Sequence, residues 1–522
     1  MVHAQKDGFR ANWKCAAACI LISMAPFQYG VDFGLIGGMQ AMVGFLKVYG
    51  YEDPTSPIGY NISTTAQQLI SSLMTMGAFL GSLAAGPLAT ILGRKSCLWL
   101  ACIMCTVANA IMMGSTNLGG LYAGRLIIGL ANGVFMTFSQ LYLQECTPAR
   151  YRGLSLAMFQ VWTSVGTLIG TVTDNFTSRL LSKASYMIPL GVIFVVPAIM
   201  ALGLFFIPES PRWLVGRGRN EQALKSLQWL RPDHEDAMTE LKEIQVAIDE
   251  ERNAISGATI IDMFRNPVDR RRTLLSVAAV SVQAACGVMY MLAYGTYFFE
   301  MAKVGNAFEN SCILVAVGVV AIIIDLFIMA PYGRRRVFLT TGLIVCGFCQ
   351  LIQAIVYDKD PGSENTGRVV VAMSVIYIFV YNGAICPFSW LSGGEIPSQR
   401  MRSYTFGLSS AVGFLGAWVA TFTAPYFINP ENLNWGPKYG YIWFPSCIVT
   451  AAFIYLYLPE LKNRSLEEID EMFEARLPAR KFRHYQCSIS EKAATMKVPM
   501  EVSLEKGVAV GTTEIVADIK GN

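Results

Sequence analysis

Apolar residues run along this chain in long blocks, without the alternation of a half-buried strand or the stripe of an amphipathic helix. Leu190 to Ile207 is one unbroken block, and Cys312 to Ala330 is another, interrupted only by Asp325. A helix needs roughly 20 apolar residues to cross a bilayer, and a helix apolar all round lies in a large core or in lipid. The blocks predict spans at about 15–38, 68–90, 97–115, 118–140, 154–177 and 187–207. Six more follow at about 273–299, 311–331, 337–357, 368–392, 404–427 and 438–458. The expected fold class is an all-α membrane protein with twelve transmembrane helices, spans 1 to 12.

The pattern changes between the two sets of six. Leu224, Leu227 and Leu230, then Leu241, Ile244 and Ile248, recur at helical spacing among Glu, Lys and Asp. This predicts short amphipathic helices lying on the membrane surface. After Pro459, Ser465-Leu-Glu-Glu468 reads as a capping box that opens a short helix through Phe473. From about residue 487 no period remains, and the tail is expected to be disordered. The organisation is an N-terminal segment 1–14, a first half 15–207, a loop 208–272, a second half 273–459 and a tail 460–522.

Composition agrees with this division. Hydrophobic residues make up 53% and charged residues 15%, against about 25% charged in soluble proteins. Net charge is only +4, so its placement carries the information. Arg94 with Lys95, Arg150 with Arg152, Arg334 to Arg336, and Arg400 with Arg402 each follow an even-numbered span. The positive-inside rule makes those loops cytoplasmic, and with them both termini. The polar start up to Trp13 leads into a full-length span, so no cleavable signal is expected. Asn61-Ile62-Ser63 then falls in an external loop as a candidate glycan site. Thirteen cysteines, mostly within spans, are read as small packing residues, Cys346 and Cys349 included. No nucleophile–base set, metal cluster or phosphate loop is visible, which argues against an enzyme, a cofactor, a bound metal or a nucleic-acid partner.

The chain also repeats itself. Gly93-Arg94-Lys95, Glu145, Arg152 and Pro208-Glu209 in the first half match Gly333-Arg334-Arg335, Glu395, Arg402 and Pro459-Glu460 in the second. Arg152 precedes Glu209 by 57 residues and Arg402 precedes Glu460 by 58. Two parallel six-helix halves about an axis along the membrane normal would produce this order. The glutamates at helix ends can pair with neighbouring arginines, so Arg94, Glu145, Arg152, Glu209, Arg334, Glu395, Arg402 and Glu460 form a candidate cytoplasmic gate.

These motifs, with Gly124-Arg125-Leu-Ile-Ile-Gly129 and Pro208-Glu-Ser-Pro-Arg-Trp213, resemble those of the sugar porters of the major facilitator superfamily. Cys286-Gly287, Tyr294-Gly-Thr-Tyr-Phe-Phe-Glu300 and Pro478-Ala-Arg-Lys-Phe482 resemble the fungal α-glucoside (maltose-type) permease branch. The resemblance implies the major facilitator fold and transport by alternating access. It has departures. Thr90 and Ala330 stand where the family carries an acid, Ala284 and Met289 replace polar residues of span 7, and Gly318 and Gly413 replace those of spans 8 and 11.

Asp32 inside span 1 is expensive to bury, so its default reading is functional. By the resemblance it matches the acid of proton-coupled porters, and Arg125 matches its basic partner. Gln160 and Gln283 offer donors and acceptors to hydroxyls, and Trp390 a face for a sugar ring. Pro387-Phe-Ser-Trp390 should break its helix near the midplane. Tyr290, Tyr294 and Tyr381 are candidates for the same cavity. Asp325 either pairs with a loop arginine, the favoured reading, or contributes to a second charge site. The expected function is a proton-coupled importer of a glycoside or related polyol at the plasma membrane, with a small-molecule sugar, protons and the lipid bilayer as partners. Two alternatives stand beside it: a porter or exporter of a less polar compound, and a nutrient sensor that does not transport.

Overall fold

The computed structural model describes residues 13–54, 59–147, 149–231, 234–255, 261–301, 305–361, 363–398, 401–429, 431–462, 464 and 466–485. Its twelve spans match the apolar blocks. In the first half they are Trp13–Ile22 with Met24–Met39, Thr64–Ile91, Arg94–Gly114, Leu118–Cys146, Ala149–Thr177, and Ala184–Ile193 with Val195–Leu204. In the second half they are Pro267–Ala285 with Val288–Met301, Ala307–Tyr332, Arg335–Lys359, Glu364–Val380 continuing through Cys386–Glu395, Arg402–Ile428, and Gly440–Tyr457. Several run past the expected bounds on the arginine-rich face, because hydropathy marks only the hydrocarbon segment and polar turns extend the helix beyond it.

Eleven of these helices are long and apolar enough to cross a membrane on composition alone. Span 5 is the exception, since Gln160, Thr163, Thr167, Thr171 and Asp174 lie along it. The threonines spend their hydroxyls on carbonyls one turn back, at 3.1 Å, 3.1 Å and 2.9 Å for Thr163, Thr167 and Thr171. Span 5 is also covered by span 1 on one side and span 8 on the other.

Two breaks follow from sequence. Gly287, with φ +83°, divides span 7, and a Cβ there would sit 2.5 Å from the Trp443 ring. Pro387 in span 10 lacks the N–H for an α-helical bond and crowds the preceding turn. The chain absorbs this in a single π-helical turn, Tyr381–Ile385, close to where the break was expected.

Each half has its own core. In the first, backbones meet where side chains are missing. A Cβ on Gly30 or Gly34 would meet the Thr163 or Thr167 carbonyl oxygen at 2.0 or 2.4 Å, and one on Gly166 the Phe27 oxygen at 2.2 Å. Spans 2 and 4 repeat the device: Gly77 faces the Leu126 oxygen, and Gly129 and Gly133 face those of Met74 and Ala78. Without a hydrophobic force between helices in lipid, such close van der Waals seams supply the cohesion. The halves themselves meet through spans 2 and 11, 5 and 8, and 1 and 7.

The loop folds as Pro211–Gly216, Asn220–Leu230 and His234–Ile255, joined by buried Leu214, Leu227, Leu241 and Ile248, which is the amphipathic arrangement the spacing predicts. A last helix, Leu466–Glu474, buries Ile469, Met472 and Phe473 against the second-half core. Ser465 of the expected capping box and the tail beyond 485 lie outside the described residues. A short antiparallel pair, Tyr51–Glu52 with Tyr60–Asn61, joins the loop between spans 1 and 2.

The seam makes a prediction. Gly129→Val would drive a side chain into the Met74 backbone, overpacking that costs roughly 1–3 kcal/mol. Gly191→Val, where nothing lies within 4 Å, should be near neutral. Thermal melts of the two purified variants should differ by several degrees, and equal melting would remove the close-approach account.

Candidate substrate and proton site

Asp32 lies in the middle of span 1 with 1% exposure, and Arg125 of span 4 with 2%. The guanidinium Nη1 donates to Asp32 Oδ1 at 2.7 Å. Its Nε donates to the Ile70 carbonyl at 3.0 Å, and its Nη2 lies 3.1 Å from the Met74 sulfur. Asn132 Nδ2 donates to the other carboxylate oxygen at 3.1 Å. Arg125 and Asn132 are seven residues apart, two helical turns, so one face of span 4 holds both oxygens of the acid. Removing one partner of such a buried pair costs about 3–5 kcal/mol. Asn132 went unselected in the sequence, where its signal is a lone amide within Leu130-Ala-Asn-Gly-Val134.

In the second half, Gln283 Nε2 donates to Ser389 Oγ at 3.1 Å, and the Tyr381 hydroxyl donates to Gln283 Oε1 at 3.3 Å. Gln283, Tyr381 and the segment carrying Trp390 thus come together. Trp390 is half-buried, edge-on to Phe406 at 6.1 Å. Gln160 is half-buried on span 5. The polar position missing at Gly318 is refilled from elsewhere, because a Cβ there would meet Asn382 Nδ2 at 2.4 Å. Asn382 sits in the π-helical turn, half-buried and with no hydrogen bond among the described residues. At Gly413 the facing group is Val280, so that position is packing.

Two tyrosines do not join this set. The buried Tyr290 hydroxyl donates to Gln350 Oε1 at 2.6 Å, and its ring lies between Tyr439 and Trp443, inside the second-half core. The Tyr294 hydroxyl donates to the Thr421 carbonyl at 2.8 Å and lies 3.5 Å from that of Gln67, at the seam between the halves.

The arginine-rich face carries two equivalent joints. Glu209 accepts from the backbone N–H groups of Arg94 and Lys95 at 3.1 Å each and of Ser210 at 2.8 Å. Glu460 does the same for Arg335 and Arg336, at 3.1 and 3.2 Å. Each carboxylate therefore caps the N-terminus of span 3 or 9, where free N–H groups and the helix dipole favour an anion. Burial pushes the Glu209 carboxyl up, and the backbone N–H groups oppose that shift. The first helical residue then reaches sideways: Arg94 grips Glu145 through two bonds of 2.9 and 2.7 Å, and Arg335 grips Glu395 at 3.2 and 2.8 Å. The expected partner in the second half, Arg334, is displaced by Arg335. Both loops are two residues long, but in the second the glycine stands one place earlier, so Arg334 takes the helix-capping place that Gly93 holds in the first half. Both ion pairs stay within one half. The Arg152 side chain lies outside the described residues, and Arg402 is half-buried within electrostatic reach of Glu395.

The sugar (and other) transporter family model matches residues 18–473. The chain belongs to that family. It is 30% identical to a probable glucose transporter of Neurospora crassa, covering 87% of this chain and 78% of the relative. It is 29% identical to a maltose permease of Saccharomyces cerevisiae, covering 90% and 77%. Similarity at this level selects no branch. The proton:xylose symporter XylE of E. coli superposes with a TM-score of 0.71 at 17% identity, over 88% of this chain and 99% of that one, which establishes the major facilitator fold. A sugar transporter of this fold is no enzyme.

On the face opposite the arginines, a polar latch joins the two halves. Glu431 accepts from the Tyr51 hydroxyl, from the Thr64 backbone N–H at 3.1 Å and from the Thr64 hydroxyl at 3.0 Å. Asn429 and Asn432 donate to that hydroxyl at 3.1 and 2.6 Å. Thr75 and Thr421 meet at 3.3 Å one layer deeper. Asn61 belongs here too, accepting from the Tyr297 hydroxyl at 3.1 Å and donating to Asp53 at 3.3 Å. At 3% exposure it has no room for a glycan, which corrects the expectation of a sugar chain there. Asp325 of span 8 is buried with Oδ1 unpartnered and makes no ion pair among the described residues, so the expected arginine pairing is absent.

The Glu431 carboxylate is exposed to water, so each latch bond to it contributes about 0.5–1.5 kcal/mol net. Glu431→Ala with Thr64→Val should therefore raise deuterium uptake around 64–75 and 417–429 at least tenfold in rate. Uptake unchanged in both segments would show that the latch does not hold this face closed.

Proposed function

We propose that this transporter imports a sugar, a glycoside or related polyol, together with protons by alternating access. The carrying observation is Asp32, buried in an apolar span with one oxygen on Arg125 and the other on Asn132. Protonation of Asp32 releases the guanidinium from its counter-charge, and any change in the Asp32–Arg125 distance between states changes the proton affinity in turn. Since a ligand shifts an equilibrium only by its differential affinity for the two states, that linkage is what lets a proton gradient drive accumulation.

The arginine-rich face is cytoplasmic in this reading, with both termini, and the latched face is external. The conformation is then closed outside, and the Arg94–Glu145 and Arg335–Glu395 joints brace the ends of each half while the inner side opens. Arg152, Glu209, Arg402 and Glu460 serve the same bracing. For the substrate, Gln160, Gln283 and Asn382 supply amides, Tyr381 a hydroxyl and Trp390 a ring face. Glucose and maltose carriers among the relatives support the substrate class, and the plasma membrane is the proposed location of a porter that takes up sugar.

Two experiments on the reconstituted transporter test this. Asp32→Asn should abolish uphill accumulation under an imposed proton gradient while leaving exchange down the sugar gradient; undiminished accumulation would exclude Asp32 as the coupling group. For the ligand, each buried hydrogen bond left unmade costs about 1–3 kcal/mol, and 1.4 kcal/mol is tenfold in affinity. Gln283→Ala should weaken sugar binding by roughly one to two orders of magnitude, and Trp390→Ala should weaken it as well. A silent Gln283→Ala beside a damaging Trp390→Ala points instead to a largely apolar substrate.

A further inference from the structure

The two halves repeat one joint, a carboxylate capping a span, so whatever is present on only one side is not required by the joint. At the first, the cap position is Gly93 and Glu209 is followed by Ser210 and Pro211. At the second, the cap position is Arg334, and Glu460 is followed by Leu461, Lys462 and, two residues on, Arg464. Arg483, from the turn Phe482–His484, closes the remaining side. Arg334, Lys462, Arg464 and Arg483 surround Glu460 and line a cavity of about 230 Å³.

The charges around this cavity are unevenly spent. Glu460 is committed to backbone N–H groups of Arg335, Arg336 and Lys462. Arg464 is fixed as part of the wall, 2.7 Å from the Tyr485 carbonyl and 3.5 Å from Glu468. The exposed guanidinium groups of Arg334 and Arg483 have no acceptor among the described residues. Like charges gathered this closely repel, and the positive-inside rule asks for basic loops, not for their convergence on one cavity. Planar guanidinium forks match phosphate oxygens in pairs.

The surroundings place the cavity at headgroup depth. Tyr455 is exposed at the end of span 12, beside exposed Leu456 and Tyr457. Arg336 and Arg480 lie over its ring, 4.5 and 5.9 Å from the centroid. We propose that this cavity binds a phosphate group, presented either by an anionic phospholipid of that leaflet or by a soluble phosphate compound. It lies away from Asp32 and Gln283, and it does not depend on the transport reading.

The test uses the purified full chain in neutral detergent, probed with dioctanoyl phosphatidylinositol 4-phosphate, dioctanoyl phosphatidylcholine and inorganic phosphate. Arg334→Gly restores the residue of the first-half joint, and Arg483→Ala removes an exposed side chain, so Glu460 keeps its bonds in both. The phosphoinositide should bind and the phosphatidylcholine should not. The double variant should bind the phosphoinositide roughly tenfold to thirtyfold more weakly, from a few-fold per basic residue, with its melting temperature unchanged. Arg483→Ala alone should give part of that loss, which covers a double variant that folds poorly. Binding of the phosphoinositide without competition by inorganic phosphate identifies a lipid site, and competition at similar concentrations a soluble phosphate site. Equal phosphoinositide binding by wild type and variants, or none by wild type to either phosphate probe, overturns the proposal.

Discussion

Hydrocarbon offers no hydrogen-bond partner, so each polar group carried into the spans has to find one within the protein or cost several kcal/mol. Much of the architecture answers to that. Arg125 divides its donors among Asp32, a carbonyl and a sulfur. Tyr377 reaches the Cys286 carbonyl, freed where Gly287 interrupts span 7, and Ser446 reaches that of Ala285. The span 5 threonines fold back on their own helix. Even the first N–H groups of spans 3 and 9 are assigned to Glu209 and Glu460. The constraint is not met everywhere: both Asp174 oxygens and both amide atoms of Gln67 stay buried without a partner among the described residues.

The same constraint explains how the halves are built and joined. Within the first half, glycine seams let backbones touch, and a few tenths of an ångström cannot be yielded without a clash. Between the halves, apolar contacts of Phe33 and Met74 with the second-half core stand beside hydrogen bonds at the latch, which can be broken in one state and remade with water or other residues in another. Seams of the first kind hold a body rigid; contacts of the second kind let two bodies rock.

What could be read from sequence follows from how local each signal is. The spans were legible because twenty apolar residues need no distant partner to be recognised. Asp32 and Arg125 were legible because a charge inside such a block is anomalous wherever it occurs. The places of Tyr290, Tyr294 and Asn61 were not legible, because a tyrosine or asparagine declares a need for a partner without saying which, and tertiary contacts chose Gln350, Thr421 and Tyr297. Asn382 was missed because its place beside Gly318 depends on a different helix having no side chain there. The repeat was legible as an order of motifs, but span 9 starts one residue later after its glycine than span 3 does, which shifts the pairing from Arg334 to Arg335. Only the helix start, set by which N–H groups Glu460 caps, reveals that shift.

The energies of latch and ligand are commensurate, and a reversible switch needs that. A handful of inter-half bonds, each contributing about 0.5–1.5 kcal/mol net, sums to a few kcal/mol. A ligand bound at millimolar affinity supplies about 4 kcal/mol. Moving a two-state equilibrium from one side to the other takes about 5.5 kcal/mol of differential affinity. A latch of apolar seams like those between spans 2 and 4 would exceed what substrate and proton could offset, and the transporter would stay shut. A latch of exposed ion pairs at about 0–1 kcal/mol each would leave the far side leaking while the near side was open. The latch, with Thr64 and Asn429 buried beneath exposed Tyr51, Glu431 and Asn432, falls between these limits, in the range where binding energy can decide which face is open.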